Sequence, residues 1–270
     1  MLVTASRDIE AATRAAELVV LVHQRLADSL RAGQTLAEID ALVGRTLREH
    51  KARSCFHRYK IPGHPPFPSQ SCLSVNECVV HGTHVMTDRP IAPGDLLSVD
   101  VGVSLGGWIG DAAWTYAIEH ADETATRLME SGIESLRAGV AAMQPGRPLI
   151  DWARAVQGRV EEQDGFHLVR GLGGHGYGRK LHAPPFVSNV VPRSPGEWPD
   201  GWSTFKPGQL IAVEPMIAVG TSEITSAPGA WPIFTADGSL SVHYEADVLI
   251  GDDGPRNLTE AMFDLPSIVG

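Results

Sequence analysis

The sequence predicts an α+β fold built from two similar halves, and three observations carry that reading. Near the start and again past the middle, two stretches of helical period are followed by strand-like runs. Arg31-Ala32-Gly33-Gln34-Thr35-Leu36 lines up with Gln144-Pro145-Gly146-Arg147-Pro148-Leu149, and Pro93-Gly94-Asp95-Leu96-Leu97-Ser98-Val99-Asp100 with Pro207-Gly208-Gln209-Leu210-Ile211-Ala212-Val213-Glu214. The offsets, 113 and 114 residues, nearly agree, which favours a duplication over the shared grammar of Pro-Gly turns. The third observation is a long apolar hairpin pattern from Leu96 to Tyr116. Together they predict one domain over residues 1–270, with a pseudo-twofold repeat of about 6–120 and 121–252 and antiparallel sheet covered by helices.

Ile9, Ala12, Ala16, Val19, Leu26 and Leu30 recur at helical spacing, so a helix is expected from about Arg7 to Arg31, ended by Gly33. Thr35-Leu36-Ala37-Glu38 is a capping box, and Ile39, Leu42, Val43 and Leu47 supply the stripe of a second helix. Cys55 to Ser71 is rich in Pro, Gly and His and reads as an ordered loop. Leu73 to His81 reads as a strand interrupted at Asn76-Glu77. After the hairpin come a helix from Asp122 to Met143 and another from about Pro148 to Gln163.

The charge of −10 and the lack of a Lys/Arg cluster argue against a nucleic-acid surface. Ala15 to Val22 is too short to span a bilayer, and Met1 to Arg7 lacks the features of a signal peptide, so a cytoplasmic protein with no membrane contact is expected. Cys55, Cys72 and Cys78 are three without CxxC spacing, which indicates reduced thiols rather than a disulfide framework or a zinc knuckle.

Within the hairpin, Asp100 and Asp111 attract notice. A two-residue loop at Leu105-Gly106 sets them directly opposite each other; a loop at Gly106-Gly107 sets them on a diagonal of the same face; a three-residue loop separates them to opposite faces. Like charges across a ladder are destabilising unless a cation lies between them. The duplication makes Glu214 the counterpart of Asp100. Gly171-Leu172-Gly173-Gly174-His175-Gly176 fits a dinucleotide fingerprint by letter, but no helix can follow through Leu181-His182-Ala183-Pro184-Pro185, so that reading is rejected. Glycines around His175 instead leave room for something to approach its ring. Ser241 to Leu249 alternates like a strand whose odd-numbered face carries His243, Glu245 and Asp247, either as an exposed edge or as the lining of a site.

Asp100 and Asp111, Gly174-His175-Gly176-Tyr177-Gly178 followed by His182, Val213-Glu214-Pro215-Met216 and Tyr244-Glu245 together resemble the pita-bread metallopeptidases, most closely the methionine aminopeptidases of type I. Ser74-Val75-Asn76-Glu77 leading to Val80-His81-Gly82 fits the same family, and the likeness spans about residues 6–252. The resemblance implies a pita-bread fold and two divalent metal ions (Co, Mn, Fe(II) or Zn). It implies that Asp111 and Glu245 bridge them, that Asp100 chelates one, and that His175 and Glu214 complete the other. Such an oxygen-rich set suits Mn, Fe(II) or Co(II) better than a zinc centre rich in Cys or His does. The implied activity is removal of methionine from the N-terminus of a peptide or nascent chain, with the ribosome as the implied partner, by a monomer. Glu214 would relay a proton, His182 would stabilise the oxyanion, His81 would contact the scissile amide, and Phe67, Cys72 and Trp231 would wall the side-chain pocket, with Cys55 a weaker member.

This chain departs from the family pattern at several places. Leu181 precedes His182 where Phe is common, and Ala183-Pro184-Pro185 follows where acids are usual. Ala246-Asp247 replaces His-Thr after Glu245 and adds a negative charge. Tyr59 to Pro66 and Arg193 to Phe205 look longer than usual and are expected at the mouth of the cleft. A pita-bread hydrolase with another substrate, prolidase-like or biosynthetic, and a non-catalytic binding module are the alternatives. Retention of every expected ligand speaks against the second.

Overall fold

The first helix and the hairpin it covers set the frame of the computed structural model, which describes residues 2–270. Helix α1 (Ser6–Ala27) buries Ala12, Ala16, Val19 and Leu26 at helical spacing. It stops before the expected Arg31 because the Ser29 hydroxyl donates to the Arg25 carbonyl at 2.7 Å, and the chain then turns at Gly33 with φ +89°. Helix α2 (Leu36–Glu49) starts at the expected capping box: Thr35 Oγ1 accepts from Glu38 N at 3.3 Å while the Glu38 carboxylate accepts from Thr35 N at 2.8 Å.

Strand β1 (Arg53–Ser54) leads into the ordered loop, and β2 (Cys72–Val75) and β3 (Cys78–Val80) are separated at Asn76, whose φ is +54°. The hairpin is β4 (Leu96–Leu105) and β5 (Trp108–Ile118), with Leu105 opposite Trp108. Gly106 and Gly107 therefore form the two-residue loop, and both have the positive φ that such a turn requires, +59° and +80°. Of the three registers open in the sequence, this one pairs Asp111 with Gly102 and Asp100 with Ala113, leaving the two acids on a diagonal of one face. Helix α1 packs straight onto β5: a Cβ at Gly110 would lie 2.5 Å from the Ala15 carbonyl.

The second half begins with α3 (Glu123–Ala142), capped by the Asp122 carboxylate accepting from Ala125 N at 2.7 Å, and α4 (Ile150–Gln157), which continues as a π-helical turn over Gly158–Gln163. Its strands are β6 (His167–Leu168), β7 (Gly173–Gly176), β8 (Ala183–Ser188), β9 (Leu210–Val213), β10 (Met216–Ala218), β11 (Ile224–Thr225), β12 (Ile233–Thr235), β13 (Ser241–His243), β14 (Ala246–Ile250), β15 (Pro255–Asn257) and β16 (Ile268–Val269). The glycine-rich stretch is strand, not a helix start, in keeping with rejection of a nucleotide site. The expected strand from Ser241 to Leu249 is broken at Tyr244-Glu245, where Glu245 N donates to Ala113 O of β5 at 2.9 Å.

One five-stranded sheet has β1, β4, β5 and β16 in order, with β2 also on β4; the other runs β15-β14-β9-β7-β8. Two three-stranded sheets, β13-β10-β6 and β11-β12-β3, complete the set. Leu26, Ile39, Val99, Trp114, Leu136, Trp152, Val213 and Tyr244 belong to one continuous buried cluster between sheets and helices. Among the described residues no helix is long and apolar enough to cross a membrane.

Candidate metal centre

Asp100 and Asp111 project from the hairpin of the first half, and the second half brings His175 from β7, Glu214 from just past β9, and Glu245 from the break between β13 and β14. All five line one cavity of about 250 Å³, together with His81, His182, Phe67, Cys72 and Trp231. Of the residues singled out in sequence for metal, catalysis or substrate, all but the weaker candidate Cys55 are thus at this wall. Cys55 does not line the cavity and lies with Phe56 beside Gly102, where an added Cβ would be 3.2 Å from the Cys55 Cβ.

Side-chain ligand atoms of Asp111, His175 and Glu245 lie within 4.8 Å of one another, and so do those of Glu214, His243 and Glu245. Glu245 is common to both groups. His175 Nε2 stands 3.9 Å from Asp111 Oδ2, and His243 Nε2 stands 3.1 Å from Glu214 Oε2. His243 lay on the polar stripe read in the sequence but received no role there. Its pairing with Glu214 follows from β13 running antiparallel to β10, with His243 opposite Met216, a long-range register that strand alternation alone does not foretell.

Electrostatics at the wall are severe. Burial pushes the Asp100 carboxyl up to about 7, with Glu214 adding to the rise and His243 opposing it. Burial also raises Asp111 and Glu245 well above the usual carboxylate range, and their neighbouring acids raise them further. Asp100 Oδ1 and Asp111 Oδ1 are buried with no hydrogen-bond partner. A cluster of like charges with orphaned oxygens needs a counter-charge, and the carboxylate and imidazole donors here are those that divalent cations take. The residues therefore fit a pair of such ions.

Asp247, expected to add charge at the site, is fully buried beside it. Its Oδ2 accepts from Asp111 N at 2.9 Å, so it braces the backbone that carries Asp111, and its own carboxyl is raised by burial. His81 sits at φ +58°, a left-handed conformation uncommon outside glycine and typical of residues aimed at a site. It is held there by Gly82, whose N–H donates to Ser74 Oγ at 3.1 Å and whose carbonyl accepts from Leu73 N at 2.9 Å. Burial lowers both His81 and His182 to about 4, so both rings are neutral at physiological pH.

The apolar end of the cavity is aromatic. Phe67 and Trp231 meet edge to face at 5.2 Å, and Trp231 Nε1 donates to Pro65 O at 2.8 Å. The loop expected at the cleft mouth is there: Tyr59 and Ile61 line the cavity. Arg193, Glu197 and Trp198, from the other long segment, line a different pocket that has no lining residue in common with this cavity.

The model of Metallopeptidase family M24 matches residues 10–252. Methionine aminopeptidase 1 of Mycobacterium tuberculosis is 35% identical over 257 residues, covering 93% of this chain and 92% of that protein. Methionine aminopeptidase 1 of Bacillus subtilis is 31% identical, with 94% and 96% covered. The crystal structure of methionine aminopeptidase from Thermotoga maritima superposes with a TM-score of 0.86 at 30% identity, covering 96% of this chain and 99% of that one. Prolidase from Pyrococcus furiosus, at 20% identity and a TM-score of 0.71 over 65% of its length, shares the fold alone. With a family model spanning nearly all of the sequence, and relatives above 30% identity matched almost end to end, the chain belongs to metallopeptidase family M24 and, within it, to the methionine aminopeptidases.

Proposed function

We propose that this protein removes N-terminal methionine from peptides and nascent chains at a centre of two divalent cations. The observation that carries the reading is the sharing of Glu245 by two ligand groups in a cavity whose other end is an aromatic pocket. Asp100, Asp111, His175, Glu214 and Glu245 would hold the two ions, with Glu245 common to both ligand groups. Mn, Fe(II) or Co(II) suits this oxygen-rich set. Such ions supply Lewis acidity and make water nucleophilic at neutral pH.

The chain's own groups do the rest. Glu214, placed by the Asn189 amide donating to its backbone carbonyl at 2.9 Å, accepts the proton of the attacking water and passes it to the leaving nitrogen. Neutral His182 donates an N–H to the substrate carbonyl oxygen as charge develops there. His81 meets the scissile amide from its strained backbone position. Phe67, Cys72 and Trp231 bind an unbranched apolar side chain and keep water from it.

Similar φ values at the matched turn glycines, +89° and +82° at Gly33 and Gly146, and +85° at both Gly94 and Gly208, support one catalytic domain formed by duplication of about 6–120 and 121–252. The proposed setting is the cytoplasm, acting as a monomer on chains leaving the ribosome.

Reconstitution with Mn, Fe(II), Co(II) and Zn in turn, followed by assay on a Met-Ala-x peptide, tests the activity; no methionine released with any metal overturns it. Replacing His81 or His182 with Ala lowers kcat strongly while metal content stays the same. An unchanged kcat removes that residue from the mechanism.

A further inference from the structure

Tyr59 lies in the loop between β1 and β2, outside the motifs on which the family resemblance was drawn. Its hydroxyl stands 2.9 Å from His182 Nδ1, and the two rings meet edge to face at 5.6 Å. His182 also lines the cavity, together with Glu214 and Glu245. We propose that Tyr59 is a positioning residue for the reaction: its O–H donates to His182 Nδ1, which puts the single ring proton on Nε2, aimed at the substrate carbonyl. The inference rests on the reading of His182 as the carbonyl's hydrogen-bond donor.

Neutral imidazole carries one N–H, and the group bound at one nitrogen decides which it is. If Nδ1 held the proton, Nε2 would present a lone pair to a developing oxyanion and to the carboxylates around it, repelling both. A phenol donating to Nδ1 removes that state. Contact with His175, 4.4 Å away between ring centroids and edge to face, restricts the ring from the other side. The imidazole is thus held between a hydroxyl and a second ring.

Tyr59 itself is well held. Arg58 N donates to Phe67 O at 2.8 Å and Phe67 N to Tyr59 O at 2.9 Å, so the two limbs of the loop are tied to each other at the point where the phenol departs. Farther out, the Trp231 indole fixes Pro65. The loop that shapes the side-chain pocket also orients the oxyanion donor, which links binding of the first residue to the electrostatics of the bond being cut.

The test uses Tyr59→Phe, which keeps the ring and removes the hydroxyl, and Tyr59→Ala, which removes both. In Tyr59→Phe, kcat on a Met-Ala-x peptide falls about three- to tenfold, the size of one neutral hydrogen bond, with KM within about twofold of wild type. Tyr59→Ala loses at least as much kcat and raises KM as well. In nitrogen NMR of zinc-loaded protein, His182 of wild type shows an unprotonated Nδ1, and Tyr59→Phe shows a mixture of the two tautomers. Wild-type kcat and an unchanged His182 spectrum in Tyr59→Phe overturn the proposal, as does a wild-type Nδ1 that carries the proton. If His182→Ala leaves kcat unchanged, the underlying reading of His182 fails instead, and the two failures are told apart.

Discussion

Acidification should destabilise this fold through one buried ring remote from the cavity. His23 of α1 is fully buried, with Nδ1 3.0 Å from the Tyr116 hydroxyl and Nε2 3.3 Å from the Ala112 carbonyl. Burial pushes its pKa from 6.5 down to about 4, while the hydrogen bond to Ala112 opposes the fall. As pH drops below 6.5 the unfolded chain takes up a proton that the folded chain refuses, so this contribution to stability is full above 6.5 and is lost toward 4. Each pH unit in that window removes about 1.4 kcal/mol, and by about pH 4.5 the loss is about 2.7 kcal/mol. Urea unfolding of wild type and His23→Gln over a pH series measures it. His81 and His182 act in the same direction in both proteins and cancel in the difference. The wild-type curve should fall away from the variant's on acidification; parallel curves would refute the assignment of a neutral buried His23.

Divalent cations should raise the melting temperature: at about a hundredfold excess over Kd the added stability is about 2.7 kcal/mol, and Glu245→Gln, at the residue common to both ligand groups, should abolish most of it in calorimetry. Thr35→Ala removes the capping oxygen of α2 and should lower unfolding free energy by about 1 kcal/mol without affecting turnover. Gly110→Ala should cost at least about 3 kcal/mol or prevent folding, because the new methyl would meet Ala15 backbone rather than a movable side chain; wild-type thermal stability would disprove that contact. Trp231→Ala opens the aromatic end of the cavity, so KM for methionyl peptides should rise and phenylalanyl peptides should become better substrates in a competition assay.

Much of this architecture was legible in the residues. Capping at Thr35, the break at Asn76 and the duplicated Pro-Gly turns carry local signals that tertiary contacts did not override. The hairpin register was open in sequence because Leu105-Gly106 and Gly106-Gly107 are both acceptable loops; positive φ at two successive glycines decides it. The π-helical turn at Gly158–Gln163 has no comparable local signature. The five expected ligands rest on motif likeness, since no periodicity indicates that β5, β7 and the β13–β14 break converge. His243 and Tyr59 escaped for the same reason: each acts on a partner distant in sequence, Glu214 and His182, and a His in a polar stripe or a Tyr in a Pro-rich loop is unremarkable by itself. Asp247 reads in sequence as an added charge, but its bond to the Asp111 backbone depends on the packing of β14 against β5.

The provenance of the acids has a consequence for how the protein can be cut apart. Asp100 and Asp111 lie before α3, whereas His175, Glu214 and Glu245 lie after it, so no contiguous fragment ending there holds all five proposed ligands. Severed within the Glu119–Asp122 connection, the two pieces would each be inert, and chemistry would return only when they dock. Recovery of activity on mixing would then report reassembly of the interface directly, turning the enzyme into its own complementation sensor.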